Sequence, residues 1–390
     1  MATNLKSFYT NRDLLNLERL MSTKRLIELD VLRVVAILFI VFDHYIDAGT
    51  LDQLLPLFPL WFFGLSLFFF VSGYVLQRNN SLIDSRKKAM NFLKKRGMRI
   101  YPLYWLALAA FYGLGLGREY TPLTISTAII EICGVQGLLA PRFLPIPTIT
   151  LWFVGIILLY YLGYVFIAPF SRDAKKMVLA MLGVLVFFVI LRITLGIIDF
   201  RFFTYYGLFI AGVVAGKYNA FYRADVKRLH TGLAMLMFVI AMVAIAAFRH
   251  FAAPAPLNIY DTLLTINNAQ MMDFSSSTVF VIVLYTALAL VFIYASVNIA
   301  RLVVPLFSKK GLKLIIALSF SSYAVYLFHR PFYYVLLGSL GKITHLSAIT
   351  LYSAVPLNII LVSGLPLLFL LCYVIQSKEN DLVAWMKMRR

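Results

Sequence analysis

Apolar residues run along this chain in long stretches that are separated by short polar and basic segments. A stretch of about 17 to 25 mostly apolar residues is long enough to cross a bilayer as an α-helix. The pattern therefore predicts an all-α, polytopic membrane helix bundle with about ten transmembrane helices. The predicted spans lie near residues 29–49, 57–77, 101–117, 151–170, 177–198, 202–216, 229–248, 278–300, 314–337 and 350–376.

The composition agrees with this pattern, and the chain divides into three parts. Of the 390 residues, 62% are hydrophobic, and the mean hydropathy of +0.85 is far above that of a soluble domain. Residues 1–28 are polar and mildly amphipathic and are expected to lie on the cytoplasmic membrane surface. Residues 29–376 form the predicted transmembrane domain, and residues 377–390 form a basic cytoplasmic tail.

The net charge of +19 is distributed unevenly along the chain. Most of the 36 Lys and Arg residues fall on one side of the membrane if the N-terminus is inside, including a basic loop at 78–100. Because positive charge is retained in the cytoplasm, both termini are predicted to be cytoplasmic in a multi-pass protein of the cell membrane. These charges suit contact with anionic lipid, so the basic pI gives no reason to expect a nucleic-acid partner.

The stretch 118–150 does not fit a single span. It contains about 15 apolar residues, ISTAIIEICGVQGLL, followed by Pro141, Pro145 and Pro147. If this stretch crossed the membrane, the basic segments that follow it would lie on the outer side instead of the cytoplasmic side. The stretch is therefore predicted to be re-entrant or interfacial.

The first apolar helix, LDVLRVVAILFIVFDHY, carries Arg33 and His44 among its ionisable residues. Eleven residues separate Arg33 from His44, which places both on one helix face, about 16 Å apart along the axis. An ionisable group at membrane depth usually faces a bundle interior or wet cavity and marks a functional pathway. Burial disfavours the charged imidazole, so His44 is a candidate general base. Asp47 at i+3 shares its face, whereas Asp43 points about 100° away.

Four candidate residues lie towards the cytoplasmic side. Arg33 could extend to lipid headgroups, pair with Asp30 at i−3, or meet an anionic ligand. Arg96 and Arg99 are i,i+3 neighbours that suit phosphates, although positive-inside anchoring also explains them. Ser72 supplies one hydroxyl, and with Gly73 it predicts close helix approach.

On the outer side, His329 lies at a depth similar to that of His44, so the two imidazoles predict a shared site in the outer half of the membrane. The chain has no Gly-rich phosphate loop, HExxH or GxSxG motif, which argues against a P-loop ATPase, a zinc protease or an α/β-hydrolase. Cys133 and Cys372 are predicted on opposite sides of the membrane. We therefore expect no disulfide, no metal site and no bound cofactor.

These residues leave two function classes open. One is a membrane enzyme in which His44 acts as a base. The other is a proton-coupled transporter or glycan exporter in which Asp43, His44, Asp47 and His329 relay protons. A third interpretation is a scaffold whose buried charges only fix helix packing.

Five short motifs follow one another along the chain. They are Arg33-x10-His44, Ser72-Gly73-Tyr74, Arg96-x2-Arg99, Leu151-Trp152-Phe153 and Ser322-Tyr323-x2-Tyr326-x2-His329. In this order they resemble acyltransferase family 3, whose members are polytopic enzymes that acylate sugars and other envelope acceptors. The resemblance runs from about Arg25 to Tyr373. Thr150 departs from it, because a histidine often precedes the Leu-Trp pair.

The resemblance implies transfer of an acyl group, most often acetyl, from cytoplasmic acyl-CoA to a hydroxyl of an envelope carbohydrate or lipid-linked sugar. The implied partners are acyl-CoA, that acceptor and membrane lipid. The implied catalytic group is His44, supported by Arg33, and the helical spacing adds Asp47 as the residue expected to orient it. The implied acyl-CoA site comprises Arg33, Arg96, Arg99 and Ser72, and the implied acceptor side comprises Trp152, Tyr323 and His329.

Overall fold

The structure is a computed structural model that describes residues 25–45, 59–79, 83–116, 124–143, 150–220, 228–251, 274–344 and 354–388. These residues form twelve α-helices, two short 3-10 helices and no strand. The α-helices are α1 (Ile27–Tyr45), α2 (Leu60–Asn79), α3 (Arg86–Gly113), α4 (Ile125–Ile132), α5 (Gln136–Phe143), α6 (Trp152–Ile167), α7 (Ala174–Leu195), α8 (Arg201–Lys217), α9 (Arg228–Phe251), α10 (Ser276–Val303), α11 (Lys309–Thr344) and α12 (Ala354–Met388).

Within the described ranges, seven helices are long and apolar enough to cross a membrane, namely α2, α6, α7, α9, α10, α11 and α12. The prediction of an all-α membrane helix bundle is therefore confirmed. The predicted spans near 29–49, 101–117 and 202–216 correspond to α1, α3 and α8. Charged residues interrupt the apolar sequence of α1 and α3, and α8 has only 17 residues, so these three helices are less apolar or shorter than the other seven.

The third long helix starts well before its predicted span. α3 begins at Arg86, so the prediction of a loop over 78–100 is wrong from that residue onwards. Lys, Arg and Met are good helix formers, and Ser85 caps the first turn by accepting a hydrogen bond from the Lys88 amide. Lys88 also donates to Asp84 over 2.8 Å, and this hydrogen bond lowers the pKa of the Asp84 carboxyl.

The last helix is longer than its predicted span. α12 has 35 residues and ends at Met388, so the segment expected to be a basic tail continues the helix over its described part. Glu379, which belongs to this continuation, is buried. The continuation of α12 therefore packs into the bundle at Glu379.

The stretch 118–150 contains two short helices in its described part. α4 and α5 have eight residues each, which corresponds to about 12 Å of helix and is too short to cross a membrane. The prediction that this stretch does not form a single span is confirmed. Gly137 of α5 packs directly on Gly155 of α6, where an added Cβ would meet backbone atoms at 2.7 Å. This contact holds the short helices against the bundle.

The centre of the bundle is α2, the most buried of the candidate spans. It packs against α8 with backbone in contact with backbone: a Cβ on Gly73 would clash with the Phe209 carbonyl oxygen, and one on Gly212 would clash with that of Phe70. The predicted close helix approach at Gly73 is confirmed, because only a residue without a side chain allows this spacing.

The outermost helices expose apolar faces. On α7, Leu179, Val186 and Ile193 recur every seven residues and are 70%, 54% and 69% exposed. A contiguous apolar face of this size would be a liability in water, but it suits the hydrocarbon of a bilayer. The exposed face therefore fits the membrane location predicted from the sequence.

Candidate active site

The first helix carries the site between its neighbours. α1 packs against both α2 and α11, and its Leu32, Ile37 and Val41 side chains are buried in these contacts. Arg33 lies near one end of α1 and His44 near the other, on the same side of the helix as the sequence predicts. The two residues face two different parts of the bundle interior, which are described in turn.

Arg33 lines a cavity of about 910 Å³ within the bundle. Ser72 from α2 and the two α3 residues Arg96 and Arg99 line the same cavity, so the structure brings these four predicted residues together. The remaining charged residues on its wall are Arg25, Asp30, Arg78, Lys95 and Glu379. Among the described lining residues, six basic side chains therefore face two carboxylates, which makes the cavity suitable for an anion with several negative charges.

Arg96 is held over two aromatic rings. Its guanidinium carbon lies 5.4 Å from the centroid of Phe92 and 5.5 Å from that of Tyr161. The Tyr161 hydroxyl lies 3.4 Å from the Ser72 hydroxyl. A guanidinium that stacks on aromatic faces keeps its N–H groups available at its edge. Tyr161 thus positions Arg96 and connects it to Ser72.

Asp30 organises the end of α1 that lies at the cavity. This buried carboxylate accepts two hydrogen bonds from Arg25, of 2.6 and 2.9 Å, and one of 2.6 Å from the Ser319 hydroxyl of α11. Its Oδ1 also lies 3.6 Å from Nη1 of Arg33. The expected i−3 pairing of Arg33 with Asp30 is therefore present. Arg33 also lines the cavity while it forms this ion pair.

Aromatic side chains close the end of the cavity nearest to the histidines. Phe68, Phe153 and Tyr326 line it there. The Tyr326 ring packs on Phe153, with centroids 4.9 Å apart, and its hydroxyl donates a hydrogen bond to the Thr150 carbonyl oxygen. We call these three side chains the aromatic layer. The sequence predicts Tyr323 on the acceptor side, but the structure places it on the cavity wall, where its hydroxyl donates to the Ile100 carbonyl oxygen over 3.1 Å.

His44 and His329 are in contact beyond the aromatic layer. Their ring centroids are 5.2 Å apart in an edge-to-face arrangement, and the Tyr326 ring is 6.2 Å from that of His329. The predicted meeting of the two imidazoles is confirmed. Nδ1 of His329 lies 3.1 and 2.8 Å from the Val325 and Tyr326 carbonyl oxygens. Because carbonyl oxygens only accept, Nδ1 carries the proton and Nε2 carries the lone pair.

Of the two aspartates near His44 in the sequence, the structure describes Asp43 but not Asp47. Asp47, the predicted orienting residue, lies outside the described residues. Asp43 places Oδ2 3.8 Å from Nδ1 of His44, which is beyond hydrogen-bond length. Its Oδ1 accepts a 3.2 Å hydrogen bond from the Trp61 amide in the first turn of α2. The Asp43 side chain thus lies near the imidazole while it fixes the start of α2.

Trp152 is buried rather than open to a ligand. The guanidinium carbon of Arg201 lies 4.2 Å from its ring centroid, and the Tyr205 ring stacks on it at 6.4 Å. Arg201 in turn donates to Asp199 through Nε over 2.9 Å. The predicted acceptor-side tryptophan therefore belongs to a cluster with a buried ion pair.

Several cavity residues escape prediction from the sequence. Tyr161 follows the recognisable Leu-Trp-Phe motif by two turns, but nothing in its neighbourhood marks it as a partner of Ser72. Gln376, Glu379 and Asn380 of α12 line the cavity although they lie at the end of the last predicted span and beyond it. Their i,i+3,i+4 spacing is a signal of a shared polar face that could have indicated them.

The helix bundle and its basic interior cavity define the class as a multi-pass membrane protein with a polar site inside the bundle. The chain belongs to acyltransferase family 3, because the model of that family, described as an acyltransferase domain, matches residues 26–376. The resemblance stated from the five motifs is confirmed, and the protein is a membrane acyltransferase. No curated protein and no solved structure matches the chain.

Proposed function

We propose that this protein transfers an acyl group, acetyl in the simplest case, from cytoplasmic acyl-CoA to a hydroxyl of an envelope carbohydrate or lipid-linked sugar. The observation that carries the proposal is the placement of a polycationic cavity and a histidine pair on the two ends of α1. The cavity takes the donor, and His44 performs the chemistry. The membrane is the cell membrane, with both termini in the cytoplasm.

The donor's phosphates are assigned to Arg96 and Arg99. Guanidinium groups form paired hydrogen bonds with phosphate oxygens, and the aromatic support of Arg96 fixes its direction. The pantetheine arm then runs past Ser72 and Arg33, which line the same cavity. A volume of about 910 Å³ is at the upper end of small-molecule sites, as a ligand of this size requires.

His44 acts as general base in the transfer. It removes the proton from the acceptor hydroxyl while the oxygen attacks the thioester carbonyl. The new C–O bond forms, the C–S bond breaks, and the thiolate of CoA leaves with the proton returned by the imidazolium. His329 is a positioning residue in this scheme, because its ring packs edge-to-face on the imidazole of His44.

The aromatic layer separates donor from base in the described conformation. The proposal therefore includes rotation of Tyr326 or Phe153 when a thioester occupies the cavity, so that the carbonyl carbon comes within reach of the acceptor oxygen near His44. Holding both reactants in one bundle supplies the proximity that such a bimolecular step needs.

Reconstituted liposomes test this function against transport. Purified protein is given acetyl-CoA labelled in the acetyl group together with a panel of free and lipid-linked polysaccharides, and CoA release and label transfer are measured. We expect both with wild type and neither with His44→Ala. The matched control is His230→Ala, which removes an exposed histidine of α9 and leaves the reaction unchanged. Movement of polysaccharide across the membrane that needs neither acetyl-CoA nor His44 would instead favour the exporter.

A further inference from the structure

The wall of the cavity formed by α12 differs chemically from the wall formed by α3. Gln376, Glu379 and Asn380 share one face of α12, since they follow i,i+3,i+4 spacing, and all three line the cavity. The Gln376 side-chain amide donates to Glu379 Oε2 over 2.9 Å. Arg96 and Arg99 belong to α3, which contacts α12. The α3 part of the wall is therefore cationic, and the α12 part offers amides and a carboxylate.

These three residues lie at and beyond the end of the predicted span, where polar side chains of a transmembrane helix are usually exposed to water. Gln376 and Glu379 are each only 6% exposed, although the predicted span ends at residue 376. A buried carboxylate and amide are retained in proteins when they have polar partners. The family match also ends at residue 376, so Glu379 and Asn380 extend the cavity wall beyond the part shared with the family model.

The charges decide which part of a CoA thioester can occupy this face. Glu379 repels phosphate, so the phosphates remain on the side of Arg96 and Arg99. A carboxylate accepts hydrogen bonds only, and an amide both donates and accepts. An adenine ring matches this set, because its exocyclic amine donates while its ring nitrogens accept, and Asn or Gln can contact both positions at once.

Resting on the proposed function, we propose that the face formed by Gln376, Glu379 and Asn380 recognises the adenine of the acyl donor. The face makes the protein select an adenine-bearing thioester over a phosphopantetheine thioester that is carried on a protein. Arg33 and Ser72 then bind the part that both donor types share, and α12 supplies the discrimination.

Competition binding to the purified full-length chain tests this assignment. Labelled acetyl-CoA is displaced with CoA, with 1,N6-etheno-CoA, in which the amine can no longer donate, and with 4′-phosphopantetheine. We expect wild type to prefer CoA over etheno-CoA by about tenfold, as the loss of one or two hydrogen bonds implies. Asn380→Ala and Glu379→Ala, which each remove a hydrogen-bonding group, should reduce that preference to about onefold while their affinity for phosphopantetheine stays at the wild-type value.

Asp381→Asn is the matched control, because Asp381 follows Asn380 on the same helix but is not among the described residues of the cavity wall. It should keep the wild-type preference. Equal affinity of wild type for CoA and etheno-CoA would overturn the assignment, as would an equal loss of CoA and phosphopantetheine binding in the two variants. Absence of any CoA binding to wild type would instead contradict the proposed function itself.

Discussion

The imidazole of His329 lies edge-to-face on that of His44, with 5.2 Å between the ring centroids. The two residues come from helices that are separated by most of the chain, and α1 and α11 pack along each other to bring them together. Backbone carbonyl oxygens hold the proton of His329 on Nδ1. The pair therefore contains one imidazole whose tautomer is fixed by hydrogen bonds to its own helix.

Replacing His329 by Phe tests what this fixed tautomer contributes. The ring contact with His44 remains, but the Nε2 lone pair is lost. We expect kcat for acyl transfer to fall by about 10-fold to 100-fold while the affinity for acyl-CoA is unchanged, as for other residues that orient a functional imidazole. Wild-type kcat in this variant would show that His329 only packs against His44.

Asp30→Asn should weaken donor binding. The amide cannot pair with the Arg25 and Arg33 guanidinium groups as the carboxylate does, so Arg33 loses its fixed position at the cavity. We expect KM for acyl-CoA to rise about tenfold with a smaller change in kcat. Ser319→Ala is the control, because it removes a single hydrogen bond to Asp30, and it should raise KM only two- to threefold.

The Arg96→Lys substitution tests whether the planar shape of the guanidinium, and not only its positive charge, contributes to binding of the donor's phosphates. Lysine keeps the positive charge but cannot stack a planar group on Phe92 and Tyr161 or donate in pairs. We expect KM for acyl-CoA to increase about 10-fold. The same substitution at Arg86, an exposed residue at the start of α3 that does not line the cavity, should leave KM at its wild-type value. Equal effects at both positions would indicate that Arg96 acts only through net charge.

Gly212→Ala should destabilise the bundle, although Gly212 itself is not among the described residues that line the cavity. A Cβ at this position would clash with the Phe70 carbonyl oxygen, and α2 and α8 would have to move apart. We expect a loss of about 1 to 3 kcal/mol, seen as a lower melting temperature in detergent. At Gly183 of α7 an added Cβ meets nothing within 4 Å, so Gly183→Ala should keep or raise the melting temperature.

The charge distribution predicts that both termini face the cytoplasm. Epitope tags at the N-terminus and C-terminus should therefore both resist protease added to the outside of intact cells, and both should be cleaved after permeabilisation. Cleavage of either tag in intact cells would reverse the assignment of the cavity to the cytoplasmic side. This measurement is independent of enzymatic activity.

Periodicity and charge spacing predict the local part of this structure well. Arg33 and His44 share a face because both lie on one helix, and the helical geometry that relates Arg96 to Arg99 is equally local. The short helices of 118–150 also follow from their length and prolines. What the sequence could not provide are contacts between distant segments, such as Tyr161 with Ser72 or Asp30 with Ser319.

The differences from prediction have a common physical origin. Hydropathy shows which residues are apolar, but it does not show where a helix begins or ends. The helices α3 and α12 both extend beyond their apolar spans, so hydropathy alone underestimates their length. These polar extensions carry Arg96, Glu379 and Asn380 to the cavity wall. Depth in the membrane is equally hard to assign within one helix: Tyr323 precedes His329 by only six residues, about 9 Å, and that distance places it on the other side of the aromatic layer.

The position of the aromatic layer has an electrical consequence. Water in the cavity would carry the solution on its own side of the membrane as far as Phe68, Phe153 and Tyr326, so that the membrane voltage would fall mainly across the protein beyond these rings. Moving one elementary charge through that field involves about 2.3 kcal/mol per 100 mV. A charged group that passes the layer during a catalytic cycle would therefore couple the reaction rate to the membrane potential.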